Sequence, residues 1–330
     1  MSGQSLRIGT RKSGAMARAQ TEEIARRLRS ENENLDVAII KFETPGDQDQ
    51  SSRLARHGGK GGAFVVGILS AIHRGELHAA MHSLKDLPGN EGTPSLVVAA
   101  ALPRDAANDR LVLRRGLSLE EMRKSHGMGF KIGTNAVRRA AHVRRLFPEA
   151  DVIHFRGAAD TRIRKLDNGE MQRLADAREV GPDDALVVAR SGLQRIGLAS
   201  RIARDFSPVE MLPAAGQGIV AVECAERDWP TRMRLAWIDD APSRLSAEAE
   251  REVLWVLNGH CNSPIAAHAV LSGHDMTSFA SVLDEQGGQL IETSRCGPAN
   301  RPRELGRAVG FDLLDKGAAD LIARCRPEDD

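Results

Sequence analysis

A chain of 330 residues, 41% hydrophobic and 28% charged, has the make-up of a globular protein with two or three cores, which excludes a disordered or collagen-like chain. No run of 18 apolar residues occurs and Met1 to Thr10 lacks the basic start and apolar block of a signal peptide, so a cytoplasmic protein without membrane contact is expected. The net charge of +1 means that any strongly basic character must be local.

Leu6 to Thr10 reads as a strand, and Gly14 to Arg29 as a helix with Ile24 and Leu28 on one face and Ser13 as its N-cap. A helix start with free N–H groups beside Arg11 is suited to an anion. The loop Arg56-His57-Gly58-Gly59-Lys60-Gly61-Gly62 lacks the GxxxxGK order of a phosphate loop. It reads instead as a flap that includes Lys60 and leads through Phe64 into a helix ending at His73, terminated by Gly75.

Leu77, Ala79 and Met81 alternate with more polar neighbours, predicting a strand that Pro88 ends. Asp86 then stands at the strand's carboxyl end beside Lys85. An Asp shortly before a Pro is commonly a turn residue, but a carboxylate at the mouth of a cationic cleft can also stabilise a cation or carry a proton.

Lys131 to Lys165 contains nine Lys or Arg against three Asp or Glu. A solvated helix face would account for such a run, as would an anion site. Nucleic acid is poorly served, because aromatic residues make up 3% of the chain and Tyr is absent. Within this run a strand around Lys131-Ile132-Gly133 meets a polar cap, Thr134-Asn135, before Val137-Arg138-Arg139 opens a helix. Val152 to Phe155 reads as a second strand, ending at Arg156-Gly157. Asp160 is expected to cap a helix bearing Arg162, Arg164 and Lys165, which Asn168-Gly169 stops. Such junctions lie at the carboxyl ends of strands, where open α/β sheets bind ligands. Arginine grips carboxylates in paired hydrogen bonds, so a polyanion of the carboxylate or phosphate kind is expected.

Cys261 lies between His260 and Asn262. The four cysteines, Cys224, Cys261, Cys296 and Cys325, form no CxxC pair and are expected as free thiols. His260, His268, His274 and Cys296 fall at no recognised zinc spacing, so no metal is expected. A nucleophile, a covalent anchor and a small buried residue all remain open for Cys261 on this chemistry alone.

Seven ordered segments, LRIGTRKS (6–13), MHSLKDLP (81–88), IGTNAVRR (132–139), FRGAADTRIRKLDNGE (155–170), SGLQRIGL (191–198), LPAAGQGIVAVEC (212–224) and GHCNSPIAAHA (259–269), together resemble the porphobilinogen deaminases, or hydroxymethylbilane synthases. The resemblance runs through nearly the whole chain. It implies a transferase of tetrapyrrole and haem biosynthesis that joins four porphobilinogen molecules head to tail with release of ammonia. Growth starts on a dipyrromethane cofactor held by a thioether to the cysteine matching Cys261. Asp86 matches the catalytic aspartate. Arg11, Ser13, Lys85, Thr134, Asn135, Arg138, Arg139, Arg156, Arg162 and Arg195 match positions that hold cofactor and substrate. A monomer binding porphobilinogen, without nucleic acid, is implied.

The implied fold is α/β in three domains, two resembling periplasmic-binding-protein lobes around a cleft and a small third carrying the cysteine. Domain 1 is expected at residues 1–103 and 217–238, domain 2 at 104–216, and domain 3 at 239–330. Pro103-Arg104-Asp105 and Pro213 to Gly218 read as hinges, and Asp239 to Pro242 as a linker. Asn135-Ala136 stand where the family usually has hydroxyl residues, Ala158 where Asn is usual, Arg190 where a small apolar residue is usual and His260 where Gly is usual. The loop Met171 to Asp183 is longer than usual. The competing reading is a divergent paralogue, or a non-enzymatic two-lobed protein that captures a polycarboxylate with the arginines and needs neither Asp86 nor Cys261.

Overall fold

The computed structural model describes residues 5–12, 14–42, 66–89, 95–155, 157–174, 178–259 and 263–325. The counts and absences below refer to these residues.

The chain opens with strand β1 (Leu6–Arg11), helix α1 (Ala15–Glu31), β2 (Val37–Phe42), α2 (Val66–His73) and β3 (Ala79–Ser83), followed by a 3₁₀ turn (Leu84–Asp86) and β4 (Leu96–Ala101). Ile24 and Leu28 are fully buried on the inner face of α1, as their spacing requires. Gly14, with φ of 96°, caps this helix without a side-chain bond; Ser13, the expected cap, lies outside the described residues. Strand β3 ends at Ser83, five positions before Pro88. Leu84 N–H bonds Ile219 O across the sheet and Leu87 N–H bonds back to Leu84 O, which winds the chain into the 3₁₀ turn and corrects the expectation of a strand running to Pro88. Asp86 therefore stands on a turn.

The second stretch runs β5 (Asp109–Leu113), α3 (Leu119–Lys124), β6 (Lys131–Gly133), α4 (Val137–Leu146), β7 (Asp151–Ile153), α5 (Ala159–Asn168), β8 (Gln172–Arg173), β9 (Glu179–Val180), β10 (Ala185–Ala189), α6 (Arg190–Arg195) and β11 (Arg204–Asp205). β7 stops two residues short of the expected Phe155, whose side chain turns into the core. Two expected caps are displaced. The N-cap of α4 is Ala136, whose N–H is taken by Thr134 Oγ1 at 3.2 Å, and the N-cap of α5 is Ala158. Asp160 sits within the first turn and accepts from Thr161 N–H at 2.9 Å, where its charge favours the helix start without capping it. Gly169 in the left-handed region stops α5 as expected. The long stretch after it folds in its described part as the β8–β9 hairpin.

The chain then returns to the first sheet as β12 (Val220–Ala225), followed by α7 (Trp229–Ala236). The first sheet has the order β2-β1-β3-β12-β4, with β12 antiparallel to both neighbours, and the second has the order β11-β5-β10-β6-β7, with β5 and β10 antiparallel. Both are mixed sheets with a parallel half and helices on both faces. In β10 the alternation is plain: Ala185 and Val187 enter one core with Leu111 and Val143, while Leu186 and Val188 enter the other with Phe155, Ile163 and Leu166. The two crossings between the lobes run side by side, Leu102 N–H bonding Val220 O and Asp105 N–H bonding Gly218 O.

The last part contains α8 (Ala241–Val256), β13 (Ile265–Ser272), β14 (Asp275–Leu283), β15 (Leu290–Pro298), α9 (Pro302–Asp315) and α10 (Ala318–Arg324), with the three strands in an antiparallel sheet covered by α8 and α9. Ala241 and Pro242, expected in a linker, already form the first turn of α8. Asp240 caps it by accepting from Ser243 N–H at 2.9 Å. No described helix is long and apolar enough to cross a membrane.

Candidate active site

The strand-to-helix junctions of the two lobes face each other. A Cβ built on Gly14, before α1, would lie 3.9 Å from Ala158 Cβ, which precedes α5 on the opposite lobe. One built on Gly192 in α6 would stand 2.7 Å from Met16 Cε, so the start of α1 reaches α6 across the lobes. Arg11, half-buried at the end of β1, and Arg162, on α5, are thereby carried by apposed junctions.

Asp86 is presented between two anchors. Leu84 is 1% exposed and packs under the second crossing, and Leu87 is buried in the same cluster, while Lys85 and Asp86 remain partly exposed. Behind them His82 is buried, with Nε2 3.5 Å from Glu223 Oε2. Burial pushes the His82 imidazole down to about 4 despite the opposing pull of Asp86, so it is neutral near pH 7. No cationic imidazolium therefore stands behind Asp86 to offset its charge.

The segment leading to Cys261 abuts the segment leaving Asp86. Leu254, in the last turn of α8, lies where a Cβ on Gly89 would be only 2.5 Å from its Cδ1, and it also lies 3.4 Å from the Cβ position of Gly259. Arg251 Nη2 donates to Pro88 O at 2.8 Å. Residues three after the aspartate and two before the cysteine thus touch the same leucine. Cys261 itself, with His260, Ser13, Arg156, Lys60 and Phe64, lies outside the described residues; Cys224, Cys296 and Cys325 are free thiols.

The remaining arginines divide into two kinds. Arg138 and Arg139, 5% and 6% exposed, converge on Asp109, which is fully buried: Arg138 Nη2 donates at 2.5 Å and Arg139 Nε at 2.9 Å. Arg138 also donates to Leu212 O at 2.7 Å and Arg139 to Gln217 Oε1 at 3.2 Å. The Gln217 oxygen also receives Lys85 Nζ at 3.1 Å, and its amide nitrogen donates to Asp109 Oδ1 at 2.9 Å. Burial pushes the Asp109 carboxyl up, but the attraction of Arg138, then Arg139, with Lys85 beyond, outweighs it and holds the group well below the usual carboxylate range. One ionised carboxylate and one amide thus tie Lys85 of the first lobe to two arginines of the second. Thr134, also buried, has its hydroxyl bonded to Ala136 N–H, and Asn135 beside it is partly buried.

Arg162 and Arg195 are of the second kind. Arg162 is 8% exposed, yet its Nε and Nη1 have no acceptor among the described residues. Burial, reinforced by Arg139, pulls the guanidinium down to about 10, which leaves it charged. Arg195 binds Asp105 Oδ2 at 2.6 Å, but its buried Nε lacks an acceptor. Buried donors without acceptors are costly unless a ligand supplies them. A dipyrromethane bearing acetate and propionate side chains supplies carboxylate acceptors, so these residues fit the group.

Asp109, Gln217, Glu250 and Asp183 were not singled out from the sequence. Asp109 carried a signal: with Arg110 it opens a strand that continues as the apolar run Leu111-Val112-Leu113, and a carboxylate on a buried strand must be paired. Glu250, fully buried, accepts from Arg104 Nη1 at 2.5 Å, Gly216 N–H at 2.6 Å and Ala269 N–H at 2.7 Å, fastening α8 and β13 to both crossings.

Comparison with known proteins places the chain in a family. Residues 6–233 match the family model for the porphobilinogen deaminase dipyromethane cofactor binding domain, and residues 244–315 match the model for the porphobilinogen deaminase C-terminal domain. The porphobilinogen deaminase of Xanthomonas axonopodis pv. citri is 39% identical over 318 residues, covering 96% of this chain and 98% of that protein, and that of Xylella fastidiosa strain 9a5c is 38% identical with the same coverage. Among solved structures, the Bordetella pertussis BvgS VFT2 domain aligns at 14% identity and a TM-score of 0.41, covering 71% of this chain and 86% of that one. The chain belongs to the porphobilinogen deaminase family.

Proposed function

We propose that the chain condenses four porphobilinogen molecules into hydroxymethylbilane with release of ammonia, with Asp86 as the catalytic carboxylate and Cys261 as the anchor of the dipyrromethane primer. The observation that carries this reading is the shared contact of Gly89 and Gly259 with Leu254, which brings onto one side chain the residues three after Asp86 and two before Cys261.

When bound, the dipyrromethane supplies the free pyrrole carbon on which the chain is extended. Loss of ammonia from porphobilinogen leaves a methylene pyrrolenine cation whose charge is spread onto the ring nitrogen. Asp86 accepts a hydrogen bond from that N–H and opposes the positive charge. The same carboxylate takes the proton released at the ring carbon and returns one to a departing amine. Neutral His82 behind it preserves that negative field. Arg162 and Arg195 bind the carboxylates of the growing chain through their unsatisfied donors. Arg11 and Arg156 add positive charge and Ser13 a hydroxyl for the same cofactor and substrate, with Thr134 and Asn135 as further polar groups. Lys85, Arg138 and Arg139 hold the lobes in register through Gln217 and Asp109. The domain bounds 1–103 with 217–238, 104–216, and 239–330, a cytoplasmic location and a monomeric state belong to the same proposal, with Lys60 and Phe64 in a flap.

The mass of the intact protein tests it. Production with porphobilinogen available is expected to give an adduct of dipyrromethane size that Cys261→Ser abolishes; a bare polypeptide mass would sink the proposal.

A further inference from the structure

Asp183 ends the long stretch after Gly169 and is 1% exposed, and neither of its carboxylate oxygens has a donor among the described residues. Its backbone is held firmly. Asp184 N–H bonds Lys131 O, the Asp184 carboxylate takes Arg114 Nη2 at 2.6 Å and Lys131 N–H at 2.9 Å, and Lys131 Nζ donates to Gly181 O at 3.1 Å. With Asp184 saturated on one side of β6, the Asp183 side chain is directed at Gly133, where a built Cβ would lie only 2.0 Å from Oδ2. Gly133 is the last residue of β6, immediately before Thr134 and Asn135.

Of the charged groups that act on this carboxylate, Arg162 acts most strongly. The two feel each other, yet no ion pair within 4 Å joins them, and each keeps buried polar atoms unsatisfied. Lys165 from the same helix and Lys131 from β6 add weaker attraction to Asp183, Asp184 opposes its ionisation, and Arg139 and Asp160 act on Arg162 from α4 and from its own helix. A buried carboxyl and a buried guanidinium, close enough to interact and left unpaired, form a contact that can tighten or relax with the state of either group.

We propose that Asp183 is a positioning residue for Arg162: ionised, it draws on the guanidinium and weakens its hold on a carboxylate of the growing chain; neutral, it leaves Arg162 wholly to that carboxylate. This rests on the functional reading above and adds to it a residue supplied by the stretch between Gly169 and β10. Burial, only partly offset by Arg162, pushes the Asp183 carboxyl from its ordinary value of 3.8 up to about 8, which sets the pH at which the contact changes.

Two measurements on Asp183→Asn test it. In steady-state turnover of porphobilinogen, the KM of the variant is expected to equal that of the wild type at pH 6 and to fall below it by about tenfold above pH 8, the scale of one charge-assisted hydrogen bond. Measured instead as the Kd for porphobilinogen, which needs no turnover, the difference is expected to vanish when both chains also carry Arg162→Met. Equal KM profiles across this range, or a Kd difference that persists with Arg162→Met, would overturn the assignment. Thermal unfolding without substrate gives the second readout. The unfolded chain releases this proton near pH 4 and the folded chain near pH 8, so wild-type stability is expected to drop relative to the variant over that window. A variant destabilised equally at pH 5 and pH 8 would make Asp183 a plain structural acceptor and overturn the proposal. A protein that turns over no porphobilinogen at any pH would defeat the functional reading instead, and the unfolding comparison would still decide the role of Asp183.

Discussion

Gln217 Nε2 donates to Asp109 Oδ1 at 2.9 Å, joining a hinge residue of the second crossing to the first residue of a strand in the second lobe. The oxygen of the same amide accepts from both Lys85, next to Asp86, and Arg139. The relative setting of the lobes is thus fixed by the groups that flank the site, and a change at Asp109 acts on both stability and chemistry.

Asp109→Asn is expected to destabilise the protein by about 3–5 kcal/mol, because it leaves Arg138 and Arg139 buried around a neutral amide. Urea unfolding with a fitted midpoint measures this. The depressed carboxyl also fixes a pH dependence. Its contribution is fully present above the ordinary carboxylate pKa of about 4 and is lost as pH falls from there towards the folded value. The gap between wild type and Asp109→Asn should therefore narrow below pH 4; a gap unchanged down to pH 3 would show that Asp109 is not the counter-charge of the two arginines.

Glu250→Gln is expected to loosen the C-terminal sheet from the crossings. The amide keeps the shape but presents a donor to Gly216 N–H or Ala269 N–H and leaves Arg104 uncompensated. A loss of about 2–5 kcal/mol follows for a buried hydrogen-bonded charge pair. A double-mutant cycle with Arg104→Met checks it: coupling near zero would mean that the two charges do not support each other.

The sheets and their helix faces were legible because they rest on local periodicity. Ile24 and Leu28 fell on one face of α1, and Gly169 stopped α5 where expected. Asp86 was singled out by motif and its local structure was misread, since the 3₁₀ turn depends on Leu84 reaching Ile219 far along the chain. The caps failed for a different reason: Gly14 and Ala158 cap by backbone conformation, with no polar side chain to read. Least legible were the partners of the arginines. Arg138 and Asp109 lie 29 positions apart, Arg139 and Gln217 78, and Arg104 and Glu250 146, so no spacing rule separates the arginines that are already satisfied from those that await a ligand.

Asp86→Asn is expected to abolish most porphobilinogen turnover while leaving the thermal midpoint within a few degrees of wild type. Asp86 is partly exposed on its turn, and its side chain is not part of the Leu84 and Leu87 anchors. The amide keeps a polar group but loses both the negative charge and the proton acceptor. Near wild-type turnover would remove Asp86 from the mechanism.

Arg162→Met separates stability from function in the opposite sense. The guanidinium is buried and charged with two nitrogens unsatisfied, so the folded protein without ligand carries an uncompensated desolvation cost. A methionine, shorter but apolar, removes that cost, and Asp183, which acts on this position, can remain protonated. Unfolding in urea is expected to show unchanged stability or a gain of up to about 1–4 kcal/mol, the range seen when buried charges are replaced by apolar side chains. Chain extension is expected to fail, with enzyme-bound intermediates of one length accumulating in mass spectra of the intact protein, because a carboxylate of the growing chain loses the buried guanidinium that would hold it. A variant that is both less stable and fully active would mean that the Arg162 donors are satisfied within the protein, and the arginine would then belong with Arg138 among the residues that hold the fold.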